Sequence, residues 1–131
     1  IQEEINEVSQ KLLDTGWITL EYASSFKPYN NGDYNKPKYR MIGNMVQIKG
    51  IATPAKVIKG SSDQVVMFNI PQEIAPQMAE YRVCQGSYQN KWLLSVATNG
   101  NVTFSRYAKS EDYETCETEN WLPFSCVYFK G

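Results

Sequence analysis

Charge is segregated along this chain, and the segregation marks where binding chemistry could sit. Residues 22–60 carry Lys27, Lys36, Lys38, Arg40, Lys49, Lys56 and Lys59 against the single acid Asp33. Tyr29, Tyr34 and Tyr39 are interleaved with them. Such a surface can hold a polyanionic glycan. Lysine and arginine meet phosphate, while tyrosine offers a flat apolar face to a sugar and a hydroxyl for hydrogen bonding. The same charges also serve as a solvated surface that keeps a domain soluble. Residues 110–120 are the acidic counterpart, with Glu111, Asp112, Glu114, Glu117 and Glu119. Hard cations take several oxygen ligands, and glycosidases need two carboxylates at a set separation. The acidic spacing matches no calcium-loop pattern, and loop spacing does not fix carboxylate separation. A solvated loop is the simpler reading.

Composition removes whole classes of mechanism. The chain has 131 residues, 42% hydrophobic and 21% charged, as in a single soluble domain. It contains no histidine. Ser-His-Asp and Cys-His nucleophile systems are therefore excluded, as is any zinc site with a histidine ligand. The net charge of -1 argues against nucleic acid as a partner. No apolar run approaches the roughly 18 residues of a membrane helix, so no membrane partner is expected. Cys84, Cys116 and Cys126 form no CxxC pair. They read as buried, idle thiols or as one bridge between Cys116 and Cys126 plus one free thiol. No cofactor and no metal are expected.

Nine tyrosines leave several aromatic platforms free of the core. Tyr29, Tyr34, Tyr88 and Tyr113 fall in loops or at strand ends. With Lys36, Lys38 and Arg40 they are the candidate ligand-binding residues.

Two kinds of element must position these groups. Ile1, Ile5, Val8 and Leu12 are spaced four, three and four apart, an alternating d and a pattern with polar residues between. Asp14-Thr15-Gly16 ends it. So narrow a seam suits a partner helix, although an amphipathic helix folded onto its own domain shares the pattern. With Ile1 and Val8 at d, a trimer is the expected assembly. Residues 1–15 thus form a stalk or neck helix, the end of a trimeric coiled coil. The chain starts at Ile1 with no signal-peptide pattern, and reads as a fragment of a longer chain or a processed product.

From Trp17 the period becomes two. Trp17–Tyr22, the Val46/Ile48, Val66/Phe68, Tyr81/Val83, Trp92/Leu94/Val96 and Val102/Phe104 alternations, and Phe124–Phe129 read as seven strands. The last is apolar on both faces, as in a central or interface strand. Asn99-Gly100 between two alternating runs signals a hairpin. Pro71, Pro76 and Pro123 fall where strands end. Trp92 shares a face with Leu94 and Val96 and reads as core. Trp17 is expected over the stalk junction, and Trp121 is ambiguous between core and rim. The fold class is all-β: an antiparallel sandwich or jelly-roll-like head over residues 16–131, preceded by the short coiled-coil helix.

The residues form a recognisable series: Gly16-Trp17-Ile18-Thr19-Leu20, Phe26-Lys27-Pro28-Tyr29, Pro37 through Gly50, Phe68-Asn69-Ile70-Pro71, Ala97 through Val102, and Trp121 through Tyr128. This resembles the C-terminal head domain of tail and baseplate receptor-binding proteins from phages of Gram-positive bacteria. The resemblance implies a homotrimer whose β-sandwich heads adhere to host cell-wall saccharides or teichoic acids without catalysis. It implies attachment to other tail or baseplate proteins through the N-terminal side. It also places the protein in the virion, at the tail tip, after synthesis in the host cytoplasm. The family's motifs mark strands and turns, so no binding residue is carried over. A fibre-capping or trimerisation module without ligand, and a polysaccharide hydrolase using two acidic side chains, are the competing readings.

Overall fold

The computed structural model describes residues 13–130. Residues 1–12 of the expected stalk helix, with its seam Ile1, Ile5, Val8 and Leu12, lie outside the described residues. Within them the period-two segments form strands, as expected for β-branched and aromatic alternation. These are β1 (Ile18–Thr19), β2 (Phe26–Pro28), β3 (Lys38–Ile42), β4 (Met45–Pro54), β5 (Ile58–Lys59), β6 (Val65–Asn69), β7 (Glu80–Gln85), β8 (Lys91–Val96), β9 (Asn101–Ala108), β10 (Thr115–Cys116) and β11 (Leu122–Phe129).

All pairings are antiparallel. One sheet runs β1-β3-β4-β11, with β2 pairing the far end of β4. The second runs β6-β9-β8-β7, and β5 pairs β10. In the second sheet β7, β8 and β9 are consecutive neighbours and β6 returns beside β9, a Greek-key order. The pairing differs from a jelly roll, which interleaves two Greek keys. Apart from β11, each large sheet here draws on one continuous stretch of chain.

Aromatic side chains join the sheets. Phe104 lies 5.6 Å from Phe26, 5.3 Å from Trp92 and 5.8 Å from Tyr107, ring centre to ring centre. Trp92 meets Phe124 at 6.3 Å, and Phe124 stacks on Phe68 at 5.5 Å. Trp92 is core as expected, and Trp121 sits at the rim, 39% exposed. The Asn99-Gly100 hairpin also forms: Gly100 takes φ +93 and its N–H donates to Ala97 O at 3.0 Å.

Several expectations are corrected. Only Ile18–Thr19 of the Trp17–Tyr22 run pairs as a strand. Leu20 N–H donates to Pro37 O and Ala23 N–H to Met67 O, each at 2.7 Å, so the chain leaves the first sheet and crosses to the second. Phe124–Phe129 is not buried on both faces. Phe124, Cys126 and Tyr128 point inward, whereas Val127 and Phe129 are exposed. Pro123 lies inside β11 and not at its end, which an outermost strand tolerates. The bridge weighed between Cys116 and Cys126 is absent, and all three thiols are free. Burial pushes the Cys84 and Cys116 thiols up to about 12, so they stay protonated and weakly nucleophilic at neutral pH.

The described end of the stalk segment runs extended. Asp14 bridges Ile42, Gly43 N–H donates to Leu13 O, and Thr15 N–H donates to Met41 O. Trp17 packs over this junction under two cations, with Lys49 Nζ 4.3 Å and the Arg40 guanidinium 5.9 Å from its ring centre.

Candidate functional site

A hollow of about 670 Å³ opens where three loops meet. It is lined by Tyr88, Asn90, Lys109, Glu114, Thr115, Glu117 and Asn120. The β7–β8 loop supplies Tyr88 and Asn90, the end of β9 supplies Lys109, and the β10 region and the turn after it supply the rest. Each loop is pinned. Gly86 N–H donates to Asn90 O at 2.7 Å, and Trp121 N–H donates to Ser87 Oγ at 2.7 Å. Gln85 Nε2 donates to Tyr88 O at 3.1 Å. Tyr88 itself takes φ +60 and is 87% exposed. A left-handed tyrosine is rare and costs conformational energy, and such residues gather at functional sites.

The floor is equally fixed. Asn120 Nδ2 donates to the Tyr107 hydroxyl at 3.1 Å and reaches Cys116 Sγ at 3.9 Å. Burial pushes the Tyr107 hydroxyl up, while the hydrogen bond from Asn120 works the other way. Glu114 N–H donates to Tyr107 O, and Gly60 N–H donates to Glu114 O. A Cβ at Gly60 would fall 2.2 Å from Glu114 O and 2.4 Å from Tyr107 O, so only glycine lets the three backbones close here. The cleft thus holds one exposed ring, two amides, two carboxylates, a hydroxyl and an ammonium. That donor and acceptor set suits a polyhydroxylated ligand, with the ring as its platform.

A second hollow of about 270 Å³ shares Lys109 and adds Lys91 and Arg106. Arg106 has φ +57, where the β8–β9 register slips by one residue. Such a bulge re-aims a side chain out of the regular alternation. Among the described residues, Lys91, Arg106 and Lys109 enter no ion pair.

The sequence-predicted residues do not converge on one site. Tyr88 lines the large cleft, and exposed Tyr113 flanks it one residue before Glu114, bridged to Ala108. Tyr34 and Lys38 share a shallower hollow of about 320 Å³ with Lys49, which faces Lys38 across β3 and β4. Tyr29 is half-buried, its carbonyl accepting from Asn35 Nδ2 at 3.0 Å. Lys36 and Arg40 have acidic partners. Lys36 Nζ lies 2.9 Å from Glu21 and 3.8 Å from Asp33. Arg40 grips Asp14 with two nitrogens and holds its carboxyl well below the ordinary 3.8, at about 2. The cationic surface expected from residues 22–60 is therefore partly neutralised.

Of the acidic loop, Glu114 and Glu117 line the large cleft. Among the described residues no group of three or more Cys, Asp and Glu could hold a metal ion. Sequence reasoning missed Asn90, Lys91, Arg106, Lys109 and Asn120. Nothing in the local period marks them, because β5, β10 and the turns that gather them are set by tertiary contacts.

No family model matches the chain, and no curated protein matches it in sequence. Among solved structures, it is similar to the receptor binding protein (gp15) of Listeria phage PSA. The TM-score is 0.63 at 12% identity, covering 99% of this chain and 73% of that one. At that identity the likeness is one of fold. Among the described residues no helix is long and apolar enough to cross a membrane.

Proposed function

We propose that this chain is a receptor-binding head of a phage tail that adheres, without catalysis, to a cell-wall saccharide of a Gram-positive host. The observation that carries the reading is the Tyr88 cleft, a pinned polar hollow with one exposed aromatic face, on a fold similar to that of a phage receptor binding protein. The Tyr88 ring stacks on a sugar, and Asn90, Glu114, Thr115 and Asn120 exchange hydrogen bonds with its hydroxyls. The adjoining cations Lys91, Arg106 and Lys109 favour an anionic wall polymer such as teichoic acid, whose phosphates they would meet. The head works as a homotrimer in the virion, joined to the tail through its N-terminal side. Three weak sites on one stalk then act together.

Site substitutions test this reading. Tyr88→Ala is expected to weaken binding of a fluorescent fusion to host cells about fivefold or more, as loss of an aromatic anchor does. Arg106→Ala with Lys109→Ala is expected to weaken it and to flatten its decline with salt, since exposed charges are screened. Lys36→Ala is expected to change binding less than twofold, because Lys36 already faces Glu21. Unaltered adsorption across all these variants would favour a fibre-capping module. Release of reducing ends from host walls would favour a hydrolase.

A further inference from the structure

We infer that a second, smaller site for one neutral polyhydroxylated ring lies beside the Tyr88 cleft, in a cavity of about 220 Å³ lined by Lys27, Asn30, Asn31, Thr53 and Glu119. This deepens the saccharide-adhesion reading and rests on it for the identity of the ligand.

The cavity is built on the first sheet. Lys27 of β2 and Thr53 of β4 are directly paired, so their side chains leave the sheet on one face. Their neighbours Phe26 and Ala52 point the other way, into the core. Thr53 is nevertheless only 1% exposed. The Asn30–Asn31 turn and Glu119, between β10 and β11, line the cavity with Lys27 and Thr53. Among the described residues Thr53 Oγ1 has no hydrogen-bond partner. A buried hydroxyl left in that state is costly, and Thr53 is one of the cavity's lining residues, so a small shift of the exposed Asn30, Asn31 or Glu119 side chains would let a ligand group complete it.

Backbone conformation supports the same assignment. Asn30, Asn31 and Glu119 all have positive φ, of +55, +56 and +73. Asparagine tolerates this region, but a glutamate does not favour it. Three such residues around one small cavity mark a place whose geometry is imposed by its surroundings.

The side chains name the ligand class. Lysine donates, glutamate accepts, and the two amides and the hydroxyl do both. Mixed donors and acceptors complement a ring bearing several hydroxyls. Glu119 opposes a phosphate. The volume falls below the roughly 300–1,000 Å³ of pockets for drug-sized ligands, so it fits one ring and not a chain. The turn closed by Asn120 N–H donating to Glu117 O separates this cavity from the larger cleft. It gives Glu117 and Asn120 to the cleft and Glu119 to the cavity. Neighbouring rings of one glycan can then occupy both.

The test is a titration of the ¹⁵N-labelled 131-residue chain with glucose, N-acetylglucosamine and rhamnose separately, followed amide by amide. Saturable shifts at Lys27, Asn30, Asn31, Thr53 and Glu119 with at least one sugar are expected. Thr53→Val is expected to weaken that binding about three- to tenfold, the effect of one lost hydrogen bond. It is also expected to leave the ligand-free melting temperature unchanged or raised, because no protein partner is lost. Lys27→Met gives a second, independent loss. No saturable shift at these amides with any of the three sugars, or unchanged affinity in Thr53→Val, overturns the site. Adsorption of the unaltered chain to host cells separates the two claims. Adsorption without these shifts sinks the second site alone, whereas shifts without adsorption leave the site standing and sink the adhesion reading.

Discussion

Phe104→Ala is expected to lower the unfolding free energy by about 3–5 kcal/mol, the range for truncating a fully buried phenylalanine. Phe104 is 1% exposed and touches aromatic neighbours from β2, β8 and β9 within 6 Å. Through Trp92 it connects to Phe124 and Phe68, so the cavity it leaves opens between the two sheets and not at an edge that could collapse. Tyr107, which carries the floor of the Tyr88 cleft, packs against the same ring. The truncation is therefore expected to weaken saccharide binding as well as stability, even though Phe104 touches no ligand group. Denaturant unfolding measures the first effect and cell binding the second. A loss below about 1 kcal/mol would mean that the two sheets do not share one core.

The second large effect concerns the stalk. In the proposed trimer, Ile5→Asp with Leu12→Asp puts charge into the helical seam and is expected to give monomers. Linking weak sites raises overall affinity by roughly 10²–10⁴ without any new contact. Cell binding is expected to fall by a factor in that range, while the circular dichroism of the β unit stays as it was. Sedimentation and adsorption measured on the same preparation check both parts. A variant that is monomeric but binds as well as its parent would remove multivalency from the account. A variant that stays trimeric would move the assembly surface from the seam to the head.

Local patterns carried the antiparallel all-β class well. Alternation at Trp92, Leu94 and Val96 put these residues on one face, and all three are buried. Asn99-Gly100 specified its hairpin because a tight turn needs a residue free to take positive φ. What local patterns could not supply were the elements made by distant partners. β5 and β10 are two residues each, joined across more than 50 positions of chain. They gather Glu114 and Thr115 beside Tyr88. The same holds for charge. Lys36 and Arg40 look free along the chain, yet Glu21 and Asp14 reach them in space. Arg106 sits in a strand whose alternation hides it until a bulge turns it outward. Tyr88 was legible as an exposed aromatic in a loop. Its cleft was not legible, because that depends on three loops meeting.

The most direct measurement of the central claim is binding of a fluorescent fusion of this chain to a panel of Gram-positive cells, before and after teichoic acid is stripped from their walls. The account predicts saturable binding to at least one strain, lost on stripping and weakened by Tyr88→Ala. Binding that survives stripping would keep an adhesin but move its ligand to a neutral saccharide or a protein. Binding to no strain across a broad panel, with the head folded, would contradict adhesion and favour the fibre-capping module.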